Sequence, residues 1–159
     1  MSAPSSGVVE RRLAEIGLTV PEVPKPVAVY VPAVASGDLV FTSGQLPMAN
    51  GELLVTGKVG GEVSQEEGVE CARQCALNAI AAVKSLIGDL DQVVQVVKVT
   101  AFVSSTPDFT GQPAIANGAS ELLGAAFGDA GVHARSAVGV PVLPLNAPVE
   151  VEMVVRVAS

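Results

Sequence analysis

The chain has 159 residues and a formal net charge of −7, with 49% apolar residues against 16% charged ones. This length fits one domain, while the acidic charge, the lack of a Lys/Arg cluster and the scarcity of aromatic residues argue against a nucleic-acid partner. No apolar run approaches the ~18 to 20 residues of a membrane span and the start lacks a signal-peptide pattern, so we expect a soluble, cytoplasmic protein whose surplus apolar surface lies partly in subunit interfaces.

The first predicted element is a short amphipathic helix over residues 8–17, VVERRLAEIG, which ends at Gly17. The three prolines of the TVPEVPKP that follows cannot continue a helix. We therefore predict two parts. Residues 1–26 form an N-terminal helix with a Pro-rich linker, and residues 27–159 form a single α+β domain.

Short strands are predicted next. The segments VAVYVPAV at 27–34 and LVFTSGQL at 39–46 are β-branched or apolar and flank a Ser-Gly-Asp turn, which predicts a hairpin. An Asn50-Gly51 turn and the ELLVT after it predict a further short strand.

Two helices and three strands follow. Ser64 and Glu67 match a capping box, and they predict the start of a helix that runs to Ile87 and is closed by Gly88. The order of the elements predicts an α+β architecture in which two helices pack on one face of a mixed sheet. The remaining predicted elements are a strand over 92–104, a helix over about 112–127, and strands over 136–143 and 149–157.

General sequence templates for catalysis are absent, including a Ser-His-Asp set, a carboxylate dyad, a P-loop and a dinucleotide fingerprint. Cys71 and Cys75 lie four residues apart on a predicted helix, far in sequence from the single histidine, His133. A zinc site would need four ligands, so we expect both thiols to be reduced packing residues. His133 lies beside a predicted turn, where an ordinary structural role is favoured over a direct one.

Arg135 and two glutamates are the candidate polar residues. Arg135 opens an apolar predicted strand, where it is either a surface cation or a ligand for a carboxylate, which its planar five-donor fork suits best. Glu150 and Glu152 alternate with apolar residues and therefore point to one face of the last strand. That face is either solvated or the wall of a cleft in which one carboxylate positions a water or moves a proton.

Two segments resemble the signatures of a known family. LVFTSGQLP at 39–47 and HARSAVGVPVLPLNAPVEVEM at 133–153 look like those of the YjgF/YER057c/UK114 (RidA) family, over about residues 27–157. RLAEIGLTVPEVP and FGDAGVHARSAVG are similar to a longer branch of it. The resemblance implies a chorismate-mutase-like fold assembled as a homotrimer with three intersubunit clefts. It also implies hydrolysis of enamine/imine intermediates of the 2-aminoacrylate and 2-iminopropionate type to a 2-keto acid and ammonia, with no cofactor or metal.

The resemblance also implies roles for individual residues. Arg135 falls on the family arginine that pairs with the carboxylate of a small 2-imino or 2-oxo acid, and Glu150 falls on the glutamate linked to the water. The residues implied to line the cleft are Tyr30, Ser43, Gly44 and Asn117, the last with a looser alignment.

The sequence departs from the family in two places. Tyr30 lies in VYVP instead of a Pro-Tyr-Ser-Gln segment, and Ala137 replaces a common cysteine.

Two alternatives to the deaminase stay open: a trimer that binds a small carboxylic metabolite without turnover, and a ribonuclease. The acidic charge makes the ribonuclease the weaker of these two.

Overall fold

The computed structural model describes residues 7–23 and 29–159. The helices there are α1 (Val8–Glu15), α2 (Gln65–Ile87) and α3 (Gln112–Phe127). The strands are β1 (Ala33–Ser36), β2 (Leu39–Thr42), β3 (Met48–Ala49), β4 (Glu52–Leu53), β5 (Val93–Ser104), β6 (Ala134–Val140) and β7 (Val149–Val157). Single 3₁₀ turns span Leu90–Gln92, Gly128–Gly131 and Pro144–Asn146.

Five strands form one sheet in the order β1-β2-β7-β5-β6. The pairs are antiparallel except β5 and β6, which are parallel and are joined through α3, as a parallel connection requires. Strands β1 and β6 are the two edges of this sheet, while β3 and β4 form a separate ribbon. The predicted α+β fold, with two long helices on one face of a mixed sheet, is confirmed.

The two faces of the sheet differ. On β5 and β7 alternate side chains, including Val99, Ala101, Val151 and Met153, are buried against the helices. The other set points to the opposite face, which no helix of the described chain covers. We call the two surfaces the helix face and the open face.

The ends of α2 and α3 lie where the sequence signals are. The side chains and backbones of Ser64 and Glu67 form a reciprocal capping box at the start of α2. Gly88, with φ 81°, follows its end, and Gly128, with φ 62°, follows the end of α3. Both helices therefore have the bounds that the sequence predicts.

The predicted first hairpin needs correction. Its first strand begins at Ala33 and not at residue 27, because residues 29–32 are not paired as a strand and Pro32 has no N–H to donate. Residues 27 and 28 lie outside the described residues. The strand that carries Arg135 runs over 134–140 and not 136–143, because its pairing with β5 already begins at Ala134.

The N-terminal helix α1 packs into the core of the domain. Leu13 is fully buried in that core, and α1 contacts α3. The Asp91 carboxylate accepts hydrogen bonds from the backbone N–H groups of Val9 and Val8, and these bonds lower the pKa of Asp91. The predicted Pro-rich linker covers residues 19–26, and its last three residues lie outside the described residues together with the predicted boundary between 26 and 27, so the domain boundary stays a prediction.

Candidate functional site

Arg135 lies on the edge strand β6 and points to the helix face. It is paired with Val99 of β5, whose side chain is buried against the helices. The guanidinium meets the first half of α3, where Nη1 donates hydrogen bonds to Asn117 Oδ1 at 2.8 Å and to Ser120 Oγ at 3.1 Å. Nη2 donates to the carbonyl of Pro113 at 3.3 Å. The structure thus brings together two of the residues named from the sequence, Arg135 and Asn117.

The hydrogen bonds of Arg135 leave part of its guanidinium available. Three of its five N–H donors have acceptors, and within the described ranges Nε and one hydrogen of Nη2 have none. All three acceptors are neutral. In the same part of the chain the one ion pair joins Lys84 to Glu10, so Arg135 has no described carboxylate within 4.0 Å.

Ser120 and His133 extend the group around Arg135. Ser120 Oγ lies 2.9 Å from His133 Nε2, and His133 Nδ1 lies 2.6 Å from the carbonyl oxygen of Gly131. A cavity of about 310 Å³ beside them is lined by Ser120, Gly124, Gly131, Val132, His133 and Arg135. We call Arg135, Asn117, Ser120 and His133 the arginine cluster.

Glu150 lies on β7 and points to the open face. Its partner on β5 is Phe102, and its carboxyl is half-buried. Burial, and then the neighbouring charge of Glu152, raise the pKa of Glu150 above its usual value. The Glu150 carboxylate has no hydrogen-bond donor among residues 7–23 and 29–159.

The loop after β2 carries two of the predicted cleft residues, Ser43 and Gly44, and Gly44 lies against Glu150. A Cβ on Gly44 would lie 2.8 Å from the Glu150 carboxyl carbon, so only glycine fits there without displacing that carboxylate. Ser43 Oγ donates to the carbonyl of Val31 at 2.6 Å. Gln45 then pairs with Val151 of β7 and fixes the loop to the strand of Glu150. We call Glu150, Ser43 and Gly44 the glutamate cluster.

Tyr30, the remaining predicted cleft residue, is 54% exposed and lies just before the segment that Ser43 binds. The described residues give its side chain no hydrogen bond. Its predicted contact with a ligand therefore stays a prediction.

One chain does not bring the two clusters together. Arg135 and Glu150 are paired with positions 99 and 102 of β5, which differ by three residues and therefore face opposite sides of the sheet. They are also separated by roughly 10 Å along the strands and about 10 Å across them. A ligand the size of a three- or four-carbon acid cannot contact both residues of one chain.

The two cysteines take no part in either cluster. Both are free and buried on α2. Burial raises the pKa of Cys71 to about 11 and that of Cys75 well above its usual value, which keeps both thiols protonated and unreactive.

The described residues contain no group of three or more His, Cys, Asp or Glu side chains placed to hold a metal ion. None of their helices is long and apolar enough to cross a membrane.

A family model matches residues 10–157; its description is "YjgF/chorismate mutase-like, putative endoribonuclease". The chain belongs to this family. The match confirms the resemblance that the two signature segments indicate, and it extends into α1.

Individual relatives agree with this assignment. The chain is 43% identical to protein TCP17 of Trypanosoma cruzi over 98% of both chains. It is 34% identical to a 2-iminobutanoate/2-iminopropanoate deaminase of Dermatophagoides farinae, over 87% of this chain and 93% of the relative. The crystal structure of the protein Atu1372 of Agrobacterium tumefaciens, of unknown function, matches with a TM-score of 0.87 and 44% identity over 94% of this chain and 92% of that one.

Proposed function

We propose that this YjgF-family chain is a hydrolase that converts small 2-imino acids to 2-oxo acids and ammonia in a cleft between two copies of a homotrimer. The observation that carries the proposal is the state of Arg135. It is a cation held by three neutral acceptors, with two N–H donors left over and no described carboxylate nearby. Because a planar guanidinium pairs with a carboxylate through two nitrogens, a small carboxylic acid is the ligand that fits.

Hydrolysis of an imine also needs a general base, and we assign this role to Glu150. A carboxyl whose pKa is raised by burial is a stronger base than an ordinary carboxylate, so it can accept a proton from water and return it. With the substrate carboxylate on Arg135, the oxygen of a water near Glu150 attacks the imine carbon while Glu150 takes a proton from that water. The C=N electron pair moves to the nitrogen, which takes the proton from Glu150 to give a carbinolamine. Transfer of the carbinolamine hydroxyl proton to the nitrogen through Glu150 then breaks the C–N bond, and ammonia leaves as the C=O bond forms.

The surface of the chain supports an assembly in which the arginine cluster of one copy lies beside the glutamate cluster of the next. The open face carries exposed apolar side chains on three strands, with Val34 53%, Phe41 44% and Val138 43% exposed. Strand β6, which carries Arg135, is an unpaired edge of the sheet within the described chain. A neighbouring copy that covers the open face beside Glu150 with its own β6 edge would set its Arg135 near this Glu150.

The relatives support the reaction class. One curated relative at 34% identity bears the name 2-iminobutanoate/2-iminopropanoate deaminase. The net charge of −7 argues against the ribonuclease that the family description mentions, because RNA binding depends on counter-charge to the phosphates.

The test is hydrolysis of 2-iminopropionate and 2-iminobutyrate made in the assay by an amino-acid oxidase, with semicarbazide to trap the surviving imine. The native protein should speed ammonia release, and Arg135→Ala should remove the effect while staying assembled. Arg11→Ala, which removes the same charge from the exposed surface of α1, is the matched control and should behave as native.

One observation favours a second function, binding without turnover. The arginine cluster is complete within one chain, whereas the glutamate cluster lies on the other face. A protein that binds 2-oxobutyrate through Arg135 but does not hydrolyse any of several imino acids would support that alternative and contradict the hydrolase.

A further inference from the structure

A chain of hydrogen bonds runs from Arg135 to the backbone. It passes from Arg135 Nη1 to Ser120 Oγ at 3.1 Å, from there to His133 Nε2 at 2.9 Å, and from His133 Nδ1 to the Gly131 carbonyl at 2.6 Å. All three contacts join atoms of the same chain.

The chemistry at the two ends fixes the direction of the two outer bonds, and the neutral form of His133 then fixes the middle one. A guanidinium only donates, so Ser120 Oγ accepts from Arg135 and its own hydrogen is free to point at His133. A carbonyl only accepts, so His133 Nδ1 must carry the hydrogen that Gly131 receives. In a neutral imidazole Nε2 is then the acceptor that Ser120 requires. The network is self-consistent with a single tautomer of His133.

Ser120 lies three residues after Asn117 on α3, so the two side chains share one helix face. Together they accept both hydrogens of Arg135 Nη1. An arginine side chain held in this way has lost its rotamer freedom before a ligand arrives, which removes an ordering cost from binding.

We infer that Ser120 and His133 are positioning residues, which keep the Arg135 side chain in the conformation that binds a substrate carboxylate. They act through the hydrogen bonds from Arg135 to Ser120, from Ser120 to His133 and from His133 to Gly131, which we call the relay. The inference rests on the proposed function for the identity of the ligand, but the relay itself can be tested without any ligand. Neither residue needs to contact the substrate in this role.

The first measurement uses the fact that His133 is the only histidine in the chain. In protein labelled with ¹⁵N-histidine, NMR correlations within the ring should show hydrogen on Nδ1 and a hydrogen-bonded Nε2. Ser120→Ala should shift the Nε2 signal and leave Nδ1 protonated, while Ser85→Ala, which removes a hydroxyl from the other long helix, α2, should shift neither. Hydrogen on Nε2 and none on Nδ1 of the native protein would overturn the relay whether or not the protein binds or hydrolyses anything.

The second measurement is binding of 2-oxobutyrate and hydrolysis of 2-iminobutyrate. Ser120→Ala and His133→Ala should each raise Kd and KM by roughly 2- to 13-fold, the cost of ordering one side chain on binding, with kcat retained. The double variant should be no weaker than Ser120→Ala, because both substitutions break one network. Ser120→Thr, which keeps the hydroxyl, should restore native Kd and KM.

The outcomes separate the two proposals. If Arg135→Ala loses 2-oxobutyrate while Ser120→Ala and His133→Ala bind it as tightly as native, the positioning role is wrong and the proposed function stands. If Arg135→Ala binds and hydrolyses as native, the proposed function fails and the positioning role fails with it.

Discussion

The arginine cluster and the glutamate cluster are built in opposite ways. Arg135 is held by three acceptors from α3 and points to the helix face, whereas Glu150 has no donor in the described chain and points to the open face. The first is an arginine ordered by hydrogen bonds, and the second is a carboxyl whose charge is disfavoured by burial. Under the proposed function, one chain would therefore bind the substrate carboxylate on its helix face and transfer protons on its open face.

If Arg135 binds the substrate and Glu150 acts as the base, then substituting Glu150 should change kcat and substituting Arg135 should change Kd. These two effects are the largest that we expect. Glu150→Gln should lower kcat for 2-iminobutyrate by ~10²- to 10⁴-fold, because it removes the general base, with little change in the Kd of 2-oxobutyrate. Arg135→Ala should instead raise that Kd by about 10²-fold. Calorimetric titration and steady-state kinetics on both variants would check this, and equal effects on kcat and Kd in both would contradict it.

The stability of the domain that carries the arginine cluster should depend on the packing of α1 against α3 and the core. Leu13→Ala removes a fully buried side chain between the N-terminal helix and the core, and it should cost about 2–5 kcal/mol of unfolding free energy in urea. Val8→Ala, at an exposed position on the same helix, is the control and should change stability little. Loss of less than about 1 kcal/mol in Leu13→Ala would mean that α1 is an appendage.

The glutamate cluster should depend on Gly44. Because a Cβ there would lie 2.8 Å from the Glu150 carboxyl carbon, Gly44→Ala should displace the carboxylate and lower kcat by up to roughly 10²-fold. Kd for 2-oxobutyrate should change less than kcat. In a Glu150→Gln background the same substitution should have almost no further effect on kcat, and an additive loss would show that Gly44 acts elsewhere.

The smallest effect concerns stability against pH. Since the folded pKa of Glu150 lies above its unfolded value of 4.5, the folded state binds more protons between the two pKa values. The contribution of Glu150 is therefore most favourable below 4.5 and is lost as the pH rises through the folded pKa. Glu150→Gln should raise the unfolding free energy at pH 7 by about 0.5 kcal/mol and not at pH 4. Urea melts at both pH values would check this, and destabilisation at pH 7 would contradict it.

Much of the fold could be predicted from local signals. The capping box at Ser64 and the glycines at 88 and 128 fixed the ends of α2 and α3, because caps leave a clear pattern in the sequence. The start of the first hairpin and the bounds of β6 were missed. Strand ends are set by partners distant in sequence, such as the pairing of Ala134 with Lys98, and these partners leave no local pattern.

Less of the site could be predicted. Arg135, Glu150 and Asn117 were named through the family resemblance, and composition or spacing alone left a surface cation as likely as a ligand. Ser120 was missed, although its place three residues after Asn117 on a predicted helix was a usable signal. That Arg135 and Glu150 face opposite sides depends on how β6 and β7 align with β5, which the sequence does not reveal.

The most direct test of a site shared between two copies is complementation between Arg135→Ala and Glu150→Gln chains. The two would be co-expressed with different affinity tags, and assemblies that carry both tags would be purified in two steps. In the proposed homotrimer, whatever the ratio of chains, one of the three clefts of a mixed trimer pairs an intact Arg135 with an intact Glu150 of the next copy. Mixed trimers should therefore recover about one third of native kcat/KM per trimer, while each variant alone keeps only about 10⁻² of it or less. Mixed trimers as inactive as the parents would contradict a cleft built from both faces.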